Sequence, residues 1–151
     1  MYRFILLIFI LCCSCSVKED YEYEKIKTNL RIGLNGKYCY DGDTCYIEHK
    51  NSNYKLRLKD IDTPEINSEC KEEKELAIKA RDELHKLLMV ADSIHIISDS
   101  VDKYGRWLGD IRVNGFMVTD WLLMKGYGKK WTPELNWCKE LKEVRNDKVK
   151  R

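Results

Sequence analysis

The chain has 151 residues, which is enough for one domain with a modest core but not for two. Its hydrophobic fraction of 44% and charged fraction of 34% are typical of a globular domain with a polar surface. The net charge of only +2 argues against a protein that coats nucleic acid through bulk positive charge. Binding to a polyanion would instead depend on a few placed arginines and a metal ion.

Residues 1–15 have the pattern of an export signal. Arg3 precedes an apolar run from Phe4 to Leu11, and small residues and cysteines follow. The run is shorter than the roughly 20 residues that a membrane-spanning helix needs. We therefore expect an exported protein, which is secreted, periplasmic or membrane-anchored. Acylation of Cys15 as in a lipoprotein, simple secretion and an uncleaved anchor are the three alternatives for this segment.

Residues 16–31 are rich in charge and lack apolar periodicity, which is typical of a solvated tether. Beyond the signal, the chain contains four cysteines, at Cys39, Cys45, Cys70 and Cys138. In an exported protein these could form two disulfides, and the sequence does not choose among the three connectivities. Free buried thiols are the alternative interpretation.

The next part of the chain favours short strands. Runs rich in aromatic and β-branched residues predict strands at 38–40, 45–48 and 54–61, with a turn at 50–53. In the third run Tyr54, Leu56 and Leu58 share one face. Pro64 ends this region because it cannot donate a hydrogen bond to a strand ladder.

Helical spacing of Leu and Ala predicts a helix at 69–89. Strands are predicted at 93–98 and 107–113, with an Asn-Gly turn after the second, and helices at 117–125 and 135–148. This order predicts an α+β domain that is mainly a β barrel: a five-stranded OB-fold barrel with about three helices. We assign the barrel to residues 32–131 and a basic C-terminal helix or tail to residues 132–151.

Three segments carry candidate chemistry. They are Asp41-Gly42-Asp43-Thr44, the run from Arg57 to Glu65, and Asp102-Lys103-Tyr104-Gly105-Arg106. Carboxylate and carbonyl oxygens are hard ligands that suit Ca²⁺ or Mg²⁺ better than zinc. Arginine presents a planar fork that matches phosphate oxygens. Taken singly, each segment is more typical of an ordinary turn or a solvated strand face, but together and in this order they are specific.

With these motifs the chain resembles the staphylococcal nuclease-like (thermonuclease) family over roughly residues 36–131. The resemblance implies a metal-dependent endonuclease that cleaves DNA or RNA with little sequence specificity. It implies Ca²⁺ ligands at Asp43, Asp62 and the Thr63 carbonyl, and substrate contacts from Lys103 and Tyr104. It also implies catalytic roles for Glu65, as the general base that activates a water for attack on phosphorus, and for the two arginines that stabilise the transition state, Arg57 and Arg106.

The stretch from Ile66 to Glu75 is acidic, which departs from the family and bears on substrate affinity. The alternative function is a non-catalytic OB-fold module of the cell envelope that binds nucleic acid or protein. Retention of Arg57, Glu65 and Arg106 favours the enzyme. We expect nucleic acid as the partner, attachment to a membrane only through the N-terminal segment or a lipid, and a monomer.

Overall fold

A computed structural model describes the chain from residue 28 to residue 149. The predicted export signal at 1–15 and most of the predicted tether lie outside the described residues. Between residues 28 and 149, no helix combines the length and the hydrophobicity needed to cross a bilayer.

Eight strands and three helices make up the described part of the chain. In chain order they are β1 Thr28–Leu30, β2 Thr44–His49, β3 Ser52–Leu58, β4 Ile61–Asp62, α1 Lys71–Met89, β5 Ile94–Val101, β6 Trp107–Val113, β7 Phe116–Met117, α2 Val118–Lys125, β8 Lys129–Lys130 and α3 Trp137–Val149. The three helices and the main strands agree with the predicted element order.

Five strands form one mixed sheet in the order β1-β2-β3-β6-β5, and β7 adds to β6. The β3–β6 pair is parallel, whereas the other pairs of this sheet are antiparallel. The first and last strands of this order, β1 and β5, also approach each other, so the sheet curls around its core. The predicted OB-type α+β barrel with three helices is confirmed.

Tight turns set the register of two hairpins. Lys50 and Asn51 both have positive φ, at 49° and 59°, between the paired residues His49 and Ser52. Asn114 and Gly115 do the same between β6 and β7, with φ of 47° and 92°. Two consecutive positive φ values are typical of the two-residue turn that suits the twist of paired strands. Both predicted turns are therefore present.

The core follows the predicted alternation. Leu56 and Leu58 of β3 are buried, and Tyr54 packs partly against them. Helix α1 buries one face, formed by Ala77, Ala80, Leu84, His85 and Leu88, and the two leucines of this face belong to the core. Helix α2 ends at Gly126, whose left-handed φ of 70° caps the helix as predicted.

The start of the barrel differs from the prediction. The predicted strand at 38–40 is reduced to a single bridge between Cys39 and Cys45, because the chain reverses sharply just beyond it. The first strand is instead β1, which lies within the predicted tether and pairs with the end of β2. A segment without apolar periodicity gains strand structure there because a neighbouring strand offers its edge.

Two disulfides use the four cysteines. Cys39 pairs with Cys45, and Cys70 pairs with Cys138 across 68 residues of sequence. The second disulfide joins the residue before α1 to the second residue of α3, and the two helices pack together. The C-terminal helix is thus fastened to the rest of the domain.

Candidate nuclease site

The loop from Asp41 to Thr44 is shaped by its own first carboxylate. Asp41 is 3% exposed, and its Oδ1 accepts hydrogen bonds from the backbone N–H groups of Thr44 at 2.8 Å and Asp43 at 3.3 Å. Such side-chain-to-backbone bonds close a tight turn in place of strand pairing. Asp41 therefore shapes the loop that carries Asp43 through bonds of its own side chain.

Asp43 joins this loop to the loop after β4. Its Oδ2 accepts hydrogen bonds from the backbone N–H and the hydroxyl of Thr63, both at 2.9 Å. The same oxygen lies 2.9 Å from Nη1 of Arg57. The intervening Gly42 is needed for this approach, because a Cβ there would lie 2.9 Å from the side chain of Thr63. The Asp-Gly-Asp-Thr sequence thus brings two acidic loops into contact.

Arg57 lies at the centre of the cluster. It stands on β3 directly opposite Thr44 of β2, and its side chain is 15% exposed. Nη1 also donates to the carbonyl oxygens of Leu58 and Ile61, both at 3.0 Å. Nη2 faces Oδ1 of Asp62 at the longer distance of 3.5 Å. The guanidinium is therefore fixed in orientation by its Nη1 contacts, while Nη2 has only a long contact with Asp62.

Asp62 receives a second contact that the sequence did not indicate. Its Oδ2 accepts a hydrogen bond of 2.8 Å from Nε1 of Trp137, the first residue of α3. The two residues are 75 positions apart in the chain. A buried Trp needs a hydrogen-bond acceptor for its N–H, but the sequence did not indicate which residue would supply this acceptor.

Glu65 follows in the same loop as Asp62 and Thr63. Its backbone N–H donates to Oε1 of Glu73 on α1 at 3.2 Å, and Ser68 donates to the other oxygen of Glu73 at 2.8 Å. These bonds attach the loop to the start of α1. Burial, and then the negative charges of Asp43 and Asp62, raise the pKa of Glu65 above its usual value.

Arg106, Lys103 and Tyr104 form a separate group on the turn between β5 and β6. Nε of Arg106 lies 2.7 Å from Oδ2 of Asp102, whose Oδ1 accepts the backbone N–H groups of Tyr104 and Arg106. The Arg106 guanidinium and the Lys103 ammonium lie 5.6 and 5.0 Å from the centroid of the Tyr104 ring. Tyr104 itself is 72% exposed.

The parallel pairing of β3 with β6 relates the two groups. Arg57 is in register with Leu108, two residues beyond Arg106. Because side chains alternate along strands, this register places Arg106 on the same side of the sheet as Arg57. The predicted site residues therefore fall into an acidic cluster around Arg57 and a basic, aromatic turn beside it.

The acidic cluster carries excess negative charge. Burial, followed by the charge of Glu65, raises the pKa of Asp41 to about 6. Burial, followed by the charge of Asp41, raises the pKa of Asp43 to about 7, although Arg57 opposes this. A buried group whose charged form is disfavoured in this way gains from a nearby cation. The cluster of oxygen donors thus fits a hard divalent ion such as Ca²⁺.

The protein supplies only part of the ligands of such an ion. Among residues 28–149, no three His, Cys, Asp or Glu side chains meet in an arrangement ready to hold a metal by themselves. The predicted ligand set contains only two carboxylates, from Asp43 and Asp62, and the backbone oxygen of Thr63. Further ligands would have to come from solvent or substrate.

A cavity of about 440 Å³ opens beside the cluster. Asp62 and Glu65 lie on its wall together with residues from the start of α1 and of α3. Glu69 and Glu73, from the acidic stretch noted in the sequence, also line it. The site therefore has an open approach, and this approach is acidic on the side of the two helices.

The barrel, its two contacting acidic loops and the basic turn before β6 define a small α+β domain with a candidate functional site. Residues 55–149 match the family model described as staphylococcal nuclease homologue, and the chain belongs to this family. The matched range contains Arg57, Glu65 and Arg106 and extends through α3, whereas Asp43 precedes it.

A relative was also found among curated proteins. The chain is 35% identical over 80 residues to a protein of Capnoides sempervirens that is described as an uncharacterized 38.1 kDa protein. The aligned region covers 52% of this chain and 21% of that protein. The chain thus spans about a fifth of the length of this relative.

Proposed function

We propose that this protein is a Ca²⁺-dependent nuclease that hydrolyses phosphodiester bonds of DNA or RNA with little sequence specificity. The observation that carries the proposal is the contact of buried Asp43 with both Arg57 and Thr63, next to Asp62 and Glu65. A purely structural ion pair would need only one carboxylate to neutralise the charge of one arginine. Here several carboxylates surround one guanidinium at the edge of an open cavity, in a domain of the nuclease-homologue family.

Asp43, Asp62 and the Thr63 carbonyl would hold the Ca²⁺. All three are oxygen donors, and burial, followed by neighbouring carboxylates, raises the pKa values of Asp41 and Asp43, so a nearby cation would stabilise their charged forms. When bound, the ion supplies Lewis-acid stabilisation of negative charge on the phosphate. Arg57 orients the two carboxylates, because Nη1 and Nη2 face Asp43 and Asp62 respectively.

Glu65 is the proposed general base. It would take a proton from the water that attacks phosphorus, while the leaving oxygen departs on the opposite side. Burial and neighbouring carboxylates raise its pKa, and a raised pKa makes a carboxylate a better proton acceptor near neutral pH. The backbone N–H of Glu65 and the hydroxyl of Ser68 both donate to Glu73, and these bonds limit the movement of the loop that carries the base.

The two arginines would bind the phosphate from neighbouring strands. Charge accumulates on the non-bridging oxygens during attack, and guanidinium groups stabilise it through directed hydrogen bonds. Arg106 is held by Asp102 directly before the start of β6, which fixes the orientation of its fork. Lys103 and exposed Tyr104 are placed to contact an adjacent part of the strand. Contacts to phosphates rather than base edges carry little sequence information.

The test is digestion of plasmid DNA and of single-stranded RNA by the purified protein, with Ca²⁺ and then with excess chelator. We expect cleavage of at least one substrate that requires Ca²⁺. Asp43→Asn should abolish it, whereas Asp99→Asn, on exposed β5, should not. Binding of nucleic acid without cleavage would contradict the proposal and support the non-catalytic module.

A further inference from the structure

Trp137 contacts a proposed metal ligand, although nothing in the sequence assigned it to the site. Its indole N–H donates to Oδ2 of Asp62 at 2.8 Å, and the residue is only 5% exposed. An indole is a donor only and carries no charge. It can therefore fix one oxygen of a carboxylate without neutralising the charge that would attract a cation.

The position of Trp137 is itself fixed by several contacts of α3. The next residue, Cys138, forms the disulfide with Cys70 just before α1. Glu72 on α1 forms an ion pair with Arg145, two turns further along α3. Together these contacts hold α3 against the start of α1.

Lys129 also contacts the ring of Trp137. Its ammonium lies 5.1 Å from the centroid of the Trp137 ring and forms an ion pair with Glu140 on α3. Lys129 is also the residue of β8 that pairs with Asp62 of β4. Asp62 is thus fixed through its backbone by β8 and through Oδ2 by Trp137. Its Oδ1 has a 3.5 Å contact with Arg57, which leaves this oxygen the weaker-bound of the two.

We propose that Trp137 is a positioning residue that orients the Asp62 carboxylate for cation binding. This inference rests on the proposed function, because it concerns the affinity of the same site for Ca²⁺. A ligand that is already oriented loses less rotational freedom when the ion binds. Partners that orient metal ligands in this way typically contribute about 10–100-fold in affinity.

The experiment compares Trp137→Phe with Trp131→Phe. Phe keeps an aromatic ring in place but removes the N–H donor. Trp131 is a matched control because it is 58% exposed and directly follows β8, the strand that contains Lys129. Calorimetric titration with Ca²⁺ in the absence of substrate should show a Kd raised about 10-fold or more for Trp137→Phe and unchanged for Trp131→Phe.

Cleavage assays give a second readout. For Trp137→Phe the Ca²⁺ concentration for half-maximal cleavage should rise by the same factor, whereas kcat at saturating Ca²⁺ should stay near that of the wild type. A Trp137→His variant keeps a ring N–H and should recover part of the affinity. If both variants instead lose affinity only in proportion to their loss of Tm, the role is structural and the inference is wrong.

The outcomes separate the inference from the function on which it rests. If the wild-type protein binds Ca²⁺ and cleaves nucleic acid while Trp137→Phe binds Ca²⁺ as tightly as Trp131→Phe, only the role of Trp137 is overturned. If the wild-type protein binds no Ca²⁺, the proposed function and this inference are overturned together.

Discussion

Arg57 donates to Oδ2 of Asp43 at 2.9 Å, in a pair whose side chains are 15% and 2% exposed. The positive charge of Arg57 does not neutralise the negative charge around it, because Arg57 also faces Asp62 and because Asp41 and Glu65 add negative charge nearby. Burial therefore raises the pKa of Asp43 in spite of the arginine beside it. This excess of negative charge beside a fixed guanidinium motivates the first two predictions.

Replacing either arginine by lysine tests geometry rather than charge. Arg57→Lys and Arg106→Lys keep a positive charge but lose the planar fork that can bind two phosphate oxygens. We expect each to lower kcat/KM by about 10²-fold or more, as the loss of a preorganised donor does in other enzymes. Arg112→Lys, on the exposed face of β6, is the control and should be near wild type. Near-wild-type rates in all three would rule out the assigned roles.

The pH dependence of stability in the absence of metal follows from Asp41 and Asp43. Their folded-state pKa values of about 6 and about 7 exceed the ordinary aspartate value of 3.8, so the folded state retains protons that the unfolded state releases. The resulting stabilisation is fully present below the unfolded pKa and is lost as pH rises through about 6 and about 7. With chelator, the free energy of unfolding contributed by these groups should therefore fall as the pH rises from 3.8, the ordinary pKa, to about 7, the higher of the two folded-state values.

Added Ca²⁺ should reverse that trend, because it binds the deprotonated carboxylates. The increase in Tm on adding Ca²⁺ should be larger near pH 8 than near pH 5. Asp43→Asn removes one titrating group and should flatten the pH dependence measured in chelator. A Ca²⁺-induced increase in Tm that is the same at both pH values would contradict the assignment of Asp43 as a ligand.

Local patterns were sufficient to predict four of the barrel strands, β2, β3, β5 and β6. The alternation of Tyr54, Leu56 and Leu58 with polar residues identified the buried face of β3, and the Asn114-Gly115 turn set the register of the hairpin that follows β6. These features depend on residues close together in sequence. The predicted strand at 38–40 is shortened to a bridge at Cys39, because the side chain of Asp41 closes a tight turn directly after it.

Features that join distant segments could not be predicted. The bond from Trp137 to Asp62 spans 75 residues, and the choice of Cys138 as partner for Cys70 depends on where α3 packs. Neither has a periodic or spacing signal in the sequence. The family motifs grouped Asp43, Arg57 and Asp62, but the attachment of this group to the C-terminal helix follows only from tertiary packing.

The two disulfides should differ in their response to reduction. Cys39 and Cys45 are fully buried, whereas Cys70 and Cys138 lie on the wall of the open cavity. A mild dithiol reductant should therefore open the Cys70–Cys138 disulfide first, which mass spectrometry after alkylation would detect. Because this bond closes a long loop, its loss should destabilise the protein by about 4 kcal/mol.

Reduction should affect the site as well as stability, since α3 carries Trp137. We expect weaker Ca²⁺ binding by the partly reduced protein and by a Cys70→Ser/Cys138→Ser double variant, with the far-ultraviolet circular dichroism of the barrel retained. The double variant should show no further change with the reductant at the same dose. Unchanged Ca²⁺ affinity in both would show that α3 holds its position without the disulfide.

The last prediction concerns Glu65, which should act on the chemical step alone. Glu65→Gln keeps the size and the hydrogen-bonding capacity of the side chain but cannot accept a proton, so kcat should fall by about 10² or more. Tm should change little, because the backbone N–H of residue 65, rather than its carboxylate, bonds Glu73, and Ca²⁺ should still bind because its proposed ligands Asp43, Asp62 and Thr63 are kept. Glu69→Gln is the matched control, since Glu69 lines the same cavity four residues further on.

The pKa of Glu65 is raised, so the wild-type kcat/KM should fall as pH drops through that raised value, and Glu69→Gln should keep this dependence. Equal rates for the two variants, with intact Ca²⁺ binding in both, would remove Glu65 from the mechanism and leave the metal site standing.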